Sequence, residues 1–155
     1  MTINATLLYI IKDGKILLIY KKRGFGAGKW NGPGGKIEDG EDPMDAAVRE
    51  TEEETGLMPK SVIGIGTIDF YMGQSEKPDF AVRIFNASDF SGSVRETEEA
   101  IPRWFDTAEI PYNQMLPDDE IWIPLMLRGK KFNGKFYFAD HAGTVIINHE
   151  ISMVE

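Results

Sequence analysis

The chain has 155 residues, of which 42% are hydrophobic and 27% charged, a composition that is typical of a globular domain and excludes a disordered or fibrous chain. It contains no cysteine and only two histidines, which excludes a disulfide framework, a thiolate zinc site and a cysteine nucleophile, so any bound metal must be a hard cation with oxygen ligands. The net charge of −8 arises entirely between Glu38 and Glu54, where nine acidic residues occur with one arginine, so we expect no basic surface for a nucleic-acid polymer.

Short strands make up most of the predicted secondary structure. The first apolar run is too short to cross a membrane and no basic segment precedes it, so we expect neither a membrane span nor a signal peptide, in keeping with a cytoplasmic protein. Asp13-Gly14 suits a two-residue hairpin turn, and a second hairpin is predicted about Asn133-Gly134 within Lys131–Phe138. The other predicted strands are Ala5–Ile11, Ile16–Tyr20, Val62–Met72, Phe80–Ala87, Pro102–Phe105 and Thr144–Ile151.

Two helices interrupt these strands. The first is predicted to begin at Asp42-Pro43, because aspartate is a favourable N-cap and proline is accepted in the first turn, and to end at Gly56. The second begins at Pro117-Asp118-Asp119 and runs toward Gly129, with a kink expected at Pro124. This arrangement predicts a single α+β domain over residues 1–155, with a mixed sheet packed between helices.

The first helix is predicted to have two distinct faces. At about 100° per residue, an apolar stripe faces the core and consists of Met44, Ala47, Val48 and Thr51. Glu50, Glu53 and Glu54 lie together on a second face near the helix C-terminus, where they repel one another and oppose the helix dipole. A divalent cation would remove this repulsion, whereas a solvated acidic face with partial compensation by Arg49 would also explain three glutamates taken alone.

A wider pattern of glycine, glutamate and arginine surrounds this helix. Gly35 is followed after five residues by Glu41, after seven more by Arg49-Glu50, and then by Glu53-Glu54 and Gly56-Leu57. This spacing reproduces the Nudix box, and the chain resembles the Nudix hydrolases, with Thr51 in place of their usual aliphatic residue. Because Thr51 lies on the predicted core face, the departure affects packing and not chemistry.

Segments on both sides of the box are similar to the MutT-type Nudix enzymes of animals, which hydrolyse oxidised purine nucleoside triphosphates to the monophosphate and pyrophosphate. These segments are Lys21–Gly32, Trp104-Phe105, Ile110-Pro111, Met115, Pro117–Asp119, Trp122, Pro124-Leu125 and Lys130–Phe132. The resemblance covers nearly the whole chain and implies the Nudix fold and a nucleotide substrate. We expect a monomer with Mg²⁺ or Mn²⁺ as its cofactor.

Cleavage of a phosphoanhydride needs neutralised phosphate charge and a positioned water, which metal ions supply. The expected catalytic residues are Arg49, Glu50, Glu53 and Glu54. Glu50 and Glu54 are the leading metal ligands, and Glu53 is either a further ligand or the general base. Arg49 and Glu41 are expected to hold the preceding loop on the helix. The resemblance adds Glu99 and the Gly34 carbonyl as metal ligands, although Glu99 alone is typical of a solvated loop charge.

Asn31 and the pair Asp118-Asp119 are the predicted base-recognition residues. An amide offers a donor and an acceptor, and two adjacent carboxyl groups in one pocket share a proton, although capping of the second helix explains the aspartates equally well. By the resemblance, the nucleotide pocket is lined by Thr6, Lys21, Phe25, Asn31, Pro33, Gly34, Gly35, Lys36, Phe70, Leu116, Asp118 and Asp119. Leu116 stands where the animal enzymes have an aromatic residue, so a stacking partner for the base is either lost or replaced by another residue. The three tryptophans, Trp30, Trp104 and Trp122, are expected in the core.

The glycine-rich segment Gly24–Gly35 has neither P-loop nor dinucleotide-binding spacing. It is either a flexible connection or a loop that brings the backbone close to a ligand, with Lys36 and Lys21 or Arg23 near phosphate. Two alternatives stay open within the family: another substrate, such as an ordinary nucleotide, a dinucleoside polyphosphate or a nucleotide sugar, and a non-catalytic domain that senses a nucleotide. No EF-hand spacing occurs, which excludes that kind of calcium-binding module.

Overall fold

A computed structural model of residues 1–155 contains nine strands and two α-helices. The strands are β1 (Ile3–Lys12), β2 (Lys15–Lys21), β3 (Trp30–Asn31), β4 (Gly34–Lys36), β5 (Leu57–Tyr71), β6 (Phe80–Gly92), β7 (Ala100–Asp106), β8 (Lys131–Phe138) and β9 (Ile146–Val154). The helices are α1 (Pro43–Thr55) and α2 (Asp119–Leu127), and a 3-10 turn at Tyr112–Gln114 precedes the second. Neither helix combines the length and the apolar character that crossing a membrane would require.

The strands form one mixed sheet with the order β3-β2-β1-β6-β5-β8-β9, in which β4 also pairs with β1 and β7 with β2. The pairs β1–β6 and β5–β8 are parallel and the others antiparallel, which confirms the predicted mixed sheet. β1 pairs with β4 near its start and with β2 at its end. The glycine-rich segment that joins β2 to β4 is thereby held beside the central strand.

The two helices cover opposite faces of the sheet. Successive side chains of a strand point to opposite faces, and Leu8 belongs to a core cluster with Ala47 of α1, whereas Tyr9 belongs to another with Trp122 of α2. Trp30 is buried in the same cluster as Trp122, as predicted. Trp104 is partly buried and packs against the cluster that contains Ala47 of α1. The predicted packing of the sheet between helices is confirmed.

α1 begins and ends where the sequence predicts. Asp42 is its N-cap, and one carboxylate oxygen accepts hydrogen bonds from the N–H groups of Met44 at 3.0 Å and Asp45 at 3.2 Å. Gly56 follows the last turn with φ = 83°, a conformation that favours glycine, and its N–H donates to the Glu52 carbonyl. Both ends of the helix therefore follow from local residue chemistry.

The predicted apolar stripe of α1 is wrong at its first residue. Met44 is 37% exposed, and the buried positions are Ala46, Ala47, Thr51 and Thr55. These small side chains let the helix pack close to the sheet, which leaves the longer methionine outside the contact. Thr51 is fully buried and its hydroxyl donates to the Ala47 carbonyl at 2.8 Å, so replacing the usual aliphatic residue leaves no unsatisfied polar atom.

The predicted hairpin at Asn133-Gly134 is also wrong, because β8 runs straight through both residues. Gly134 pairs with Ile68 of β5 on one side and Ile151 of β9 on the other. The Asn133 side chain accepts a hydrogen bond from the Thr67 N–H at 2.9 Å, beside an irregularity in the β5–β6 register. Pairing on both edges of β8 therefore overrides the local turn preference of Asn-Gly.

Candidate active site

A cavity of about 300 Å³ lies between β1, the glycine-rich segment and the start of α2. Eleven of the twelve residues predicted to line the nucleotide pocket line this cavity. The exception is Pro33, which is buried and whose carbonyl accepts a hydrogen bond from the Leu8 N–H at 2.9 Å. Glu54 of α1 reaches the same cavity, so residues from the two predicted halves of the site meet in one space.

Most of the apolar wall was not predicted from the sequence. The cavity is also lined by Ile3, Ala5, Leu7, Tyr9, Ile19, Met72, Phe80, Val82, Phe138 and Gly143. Nearly all of them belong to strands or strand ends, where the alternation of apolar residues indicates burial. That pattern carries no signal that distinguishes a residue lining a cavity from one in the closed core.

The predicted aspartate pair lies in the cavity, and the helix-capping interpretation is wrong. Asp118 occupies the N-cap position of α2 but makes no capping hydrogen bond; instead its Oδ2 accepts from the indole N–H of Trp122 at 2.9 Å. Its Oδ1 is buried without a partner in the protein. Burial raises the pKa of Asp118 to about 6, and burial together with the Asp118 charge raises the pKa of Asp119 well above its ordinary value. Burial and mutual repulsion therefore favour the protonated form of the pair.

Two further polar side chains, Thr6 and Asn31, line the cavity. The Thr6 hydroxyl is buried without a partner in the protein, as is Oδ1 of Asp118. The Asn31 side-chain N–H group donates to the carbonyls of Lys29 at 3.0 Å and Gly26 at 3.3 Å. The Asn31 amide therefore offers a ligand its oxygen as an acceptor, whereas the predicted donor is already used within the protein. Unpartnered buried polar atoms are rare in folded proteins, so this end of the cavity is suited to a polar ligand.

The carboxylates of Glu50 and Glu54 both pack against β4. An oxygen of Glu54 accepts a hydrogen bond from the Gly34 N–H at 2.8 Å. A Cβ atom at Gly35 would lie 2.6 Å from the Glu50 carboxyl carbon, so any other residue at this position would displace that carboxylate. Burial raises the pKa of Glu50, and burial, with a smaller contribution from the Glu50 charge, raises the pKa of Glu54 to about 7.

Two other predicted metal ligands, Glu53 and Glu99, are each paired with an arginine. The Glu53 side chain is 60% exposed, and its carboxylate is 3.6 Å from a guanidinium nitrogen of Arg49. Glu99 is exposed and paired with Arg23, whose Nε is 3.0 Å from a Glu99 oxygen. No three acidic or histidine side chains form a group arranged to hold a metal ion in this structure. Arg23, predicted as the alternative to Lys21 near the phosphates, is paired with Glu99.

Arg49 connects the preceding loop to the helix. Its Nε and Nη2 donate to the two carboxylate oxygens of Glu41 at 2.9 and 3.0 Å, and Nη2 also donates to the Lys36 carbonyl at 3.3 Å. Its Nη1 donates to Glu50 at 2.8 Å. The hydrogen bonds to Arg49 lower the pKa of Glu41 and raise that of the guanidinium. Arg49 therefore holds the preceding loop against the helix and orients the Glu50 carboxylate.

We expect Arg49→Ala to lower both activity and stability, because three carboxylates and a loop lose their shared partner. The free energy of unfolding should fall by about 1–3 kcal/mol, the range for hydrogen bonds to a charged group. Urea unfolding and a pyrophosphate-release assay would measure both effects. Arg128→Ala, at an exposed position after α2, is the matched control and should stay within about 0.5 kcal/mol of the parent protein. Parent-like stability and activity in Arg49→Ala would make this arginine an ordinary surface charge.

The donor set around Gly34 fits a hard divalent cation. Glu50 and Glu54 supply partly buried carboxylate oxygens next to a backbone strand, and burial raises the pKa of both carboxyl groups. Such oxygens, completed by water, are the ligands that Mg²⁺ prefers.

Comparisons with known proteins identify the family and the fold. The model of the NUDIX domain family matches residues 1–126. The chain is 46% identical over 151 residues to the oxidized purine nucleoside triphosphate hydrolase of Danio rerio, covering 97% of this chain and 94% of that protein, and 45% identical over 136 residues to the mouse protein of the same name, covering 87% and 86%. The crystal structure of a MutT protein from Bacillus halodurans superimposes with a TM-score of 0.85 at 22% identity, covering 97% of both chains.

Proposed function

The chain belongs to the Nudix family, and we propose from this premise that it hydrolyses oxidised purine nucleoside triphosphates to the monophosphate and pyrophosphate. The fish and mouse relatives bear the name of this activity and match most of the chain. The observation that carries the proposal is the single cavity that joins Glu54 of the Nudix box to the buried pair Asp118-Asp119. One nucleotide could thus place its phosphates at one end and its base at the other.

We assign the phosphates of the nucleotide to the part of the cavity that is formed by α1, β4 and two lysines. Lys21 and Lys36 line the cavity and supply positive charge for phosphate oxygens. We assign Mg²⁺, or Mn²⁺, to Glu50 and Glu54, with the Gly34 carbonyl, Glu53 and Glu99 as the additional ligands that the family resemblance implies. The cation would neutralise phosphate charge and lower the pKa of a bound water. Arg49 orients the Glu50 carboxylate for this purpose.

We assign the base of the nucleotide to the polar atoms of the cavity that have no hydrogen-bond partner in the protein. Oδ1 of Asp118 and the Thr6 hydroxyl face no protein partner, and the Asn31 oxygen is a fixed acceptor. Because one of the two aspartates keeps a proton, the pair offers one donor and one acceptor to an oxo-purine edge. The location of that proton can change, so more than one oxidised purine should be accepted.

A nucleotide panel tests the proposal. Purified protein is incubated with Mg²⁺ and with 8-oxo-dGTP, 2-oxo-dATP, dGTP, a dinucleoside polyphosphate and a nucleotide sugar, and monophosphate and pyrophosphate are quantified. We expect the two oxidised purines to show higher kcat/KM than dGTP. Equal rates for all three triphosphates would leave only the general Nudix assignment, and binding without turnover would favour a nucleotide-sensing domain.

We extend the proposal to a single-domain, cytoplasmic monomer that acts on a small-molecule nucleotide. The absence of cysteine and of a basic surface supports this part. Size-exclusion chromatography with light scattering measures the mass in solution, and the expected value is that of one 17.4 kDa chain. A stable dimer would contradict the proposed monomeric state.

Leu116→Trp should improve the binding of purine substrates. Leu116 lines the cavity, 4.0 Å from where a Cβ of Gly143 would lie, and an indole there would restore a stacking surface for the base. Base–aromatic stacking contributes about 1–3 kcal/mol, so we expect KM for 8-oxo-dGTP to fall roughly 5-fold or more. Leu116→Ala is the opposing control and should raise KM. A higher KM in the tryptophan variant would show that this position does not face the base.

A further inference from the structure

The turn between β8 and β9, residues 139–145, closes one side of the cavity. Gly143 is the residue of this turn that lines the cavity. A Cβ atom at Gly143 would lie 3.1 Å from Cε of Met72, 3.3 Å from Cζ of Phe25 and 4.0 Å from Cδ2 of Leu116. All three of these side chains also line the cavity. The missing side chain of Gly143 therefore leaves space where three separate segments of the chain converge.

Hydrogen bonds and packing hold this turn in place. Oδ1 of Asp140 accepts from the N–H groups of Thr144 at 3.0 Å and Val145 at 3.2 Å. On the other side, His141 packs against the backbone that follows β5, because a Cβ atom at Gly73 would lie 2.5 Å from its Nε2. The turn is thus fixed by its own hydrogen bonds and by a contact with a distant segment, which determines where its cavity-lining residue lies.

The three neighbours of Gly143 lie next to residues assigned to the base. Leu116 precedes the segment Pro117–Asp119 directly, and Phe25 belongs to the glycine-rich segment that also contains Asn31. The Phe25 ring packs against Phe80, another residue of the cavity wall, with the ring centroids 5.5 Å apart. A side chain at Gly143 would therefore either occupy space within the cavity or press on apolar groups that surround it.

We propose that Gly143 is a specificity-determining residue: because it has no side chain, the cavity keeps room between Phe25, Met72 and Leu116 for the two-ring base of a purine. The inference rests on the proposed function, which assigns the base to this part of the cavity. An added methyl group would crowd these three side chains, and overpacking of a closed apolar contact is unfavourable. The carboxylate of Glu54 and the lysines assigned to the phosphates are not among the groups that it would meet.

Gly143→Ala adds one methyl group, and Gly129→Ala is the matched control. The two glycines have φ values of 73° and 74°, so alanine carries the same backbone strain at either position. Apart from its chain neighbours, no atom would lie within 4 Å of a Cβ at Gly129, which does not line the cavity. Any difference between the two variants therefore measures the contacts that only Gly143 makes.

kcat and KM for 8-oxo-dGTP are measured with Mg²⁺, and inorganic tripolyphosphate, which has no base, is used as a competing inhibitor. In Gly143→Ala we expect KM to rise roughly 10-fold, the scale of an overpacked apolar contact. kcat should stay within about 2-fold of the parent value, because the lost interaction is with the base and not with the reacting phosphate. The inhibition constant of tripolyphosphate should be unchanged, and Gly129→Ala should match the parent protein in all three quantities.

Two results would overturn the role of Gly143. One is a KM in Gly143→Ala that equals the KM of Gly129→Ala. The other is an equal rise in KM and in the inhibition constant of tripolyphosphate, which indicates a distortion of the whole cavity. If the parent protein fails to prefer 8-oxo-dGTP over dGTP, the proposed function fails instead, and the same comparison made with dGTP still decides the role of Gly143.

Two further sets of variants guard against poor folding of Gly143→Ala. Asparagine adopts positive φ more readily than alanine, so Gly143→Asn is compared with Gly129→Asn in the same assays. Gly143→Ala is also made in a Met72→Val background, which lacks the Cε atom that a Cβ at Gly143 would meet at 3.1 Å. In that background the added methyl group should raise KM less than it does in the parent protein. An equal rise in both backgrounds would contradict the contact that the proposal requires.

Discussion

Glu54→Gln is expected to lower kcat by at least about 100-fold in saturating Mg²⁺, the scale on which removal of one major electrostatic contribution reduces catalysis. The amide keeps the size of the side chain and an oxygen that can accept from the Gly34 N–H, which the carboxylate does at 2.8 Å. It loses the charge that we assign to metal binding. The loss should therefore appear in turnover and in Mg²⁺ affinity, measured by pyrophosphate release over a metal titration.

The same change should leave the metal-free protein as stable as the parent, or more stable. The parent carboxylate is partly buried near Glu50, and replacing it with a neutral amide removes both a repulsion and a desolvation cost. Glu52→Gln is the control, because Glu52 lies on the same helix but is exposed. Near-normal turnover in Glu54→Gln would refute the metal assignment, and unfolding without metal would show that Glu54 has a structural role instead.

Asp118→Asn and Asp119→Asn should each reduce the preference for oxidised purines by 10-fold or more, roughly one to two hydrogen bonds. An amide has a fixed donor and a fixed acceptor, so the variant pair can no longer move a proton to suit the base. In Asp118→Asn the amide oxygen can still accept from the Trp122 indole, which occupies one carboxylate oxygen in the parent protein. The measurement is kcat/KM for 8-oxo-dGTP, 2-oxo-dATP and dGTP in each variant.

Stability should respond to the same aspartate in a pH-dependent way. The folded pKa of Asp118 is raised to about 6, above the unfolded value, so the folded state binds more protons between the two values and loses stability as the pH rises through that window. The quantity to compare is the free energy of unfolding of Asp118→Asn minus that of the parent protein. This difference should increase by about 2–3 kcal/mol between about pH 4 and pH 6 and stay constant above pH 6. Urea unfolding at several pH values would show it.

Glu120→Gln is the control for both measurements, since Glu120 is the next residue on α2 but is exposed. A constant stability difference between Asp118→Asn and the parent across this pH range would mean that Asp118 does not titrate as a buried group. Unchanged substrate ratios in both aspartate variants would remove the pair from base recognition, even if the enzyme proves to be an active Nudix hydrolase.

The helix that carries the Nudix box could be predicted from the sequence almost residue by residue. Asp42, Pro43 and Gly56 define its ends through hydrogen bonds and dihedral preferences that act within a few residues. The turn at Asp13-Gly14 follows for the same reason, since both residues have positive φ in the structure. Local chemistry was sufficient for these two features, because the partners of their backbone groups lie close in the chain.

The sequence by itself thus determined the acidic helix and the Nudix box through residue type and spacing. The resemblance to the animal enzymes supplied nearly all of the polar residues that line the cavity. Tertiary structure decided the rest. Asn133-Gly134 became the middle of a strand because β5 and β9 pair with both of its edges. Tyr9 entered the cavity through a strand face that the alternation pattern marks only as buried. Such outcomes depend on contacts between distant parts of the chain, whose energies exceed the local preferences that a sequence displays.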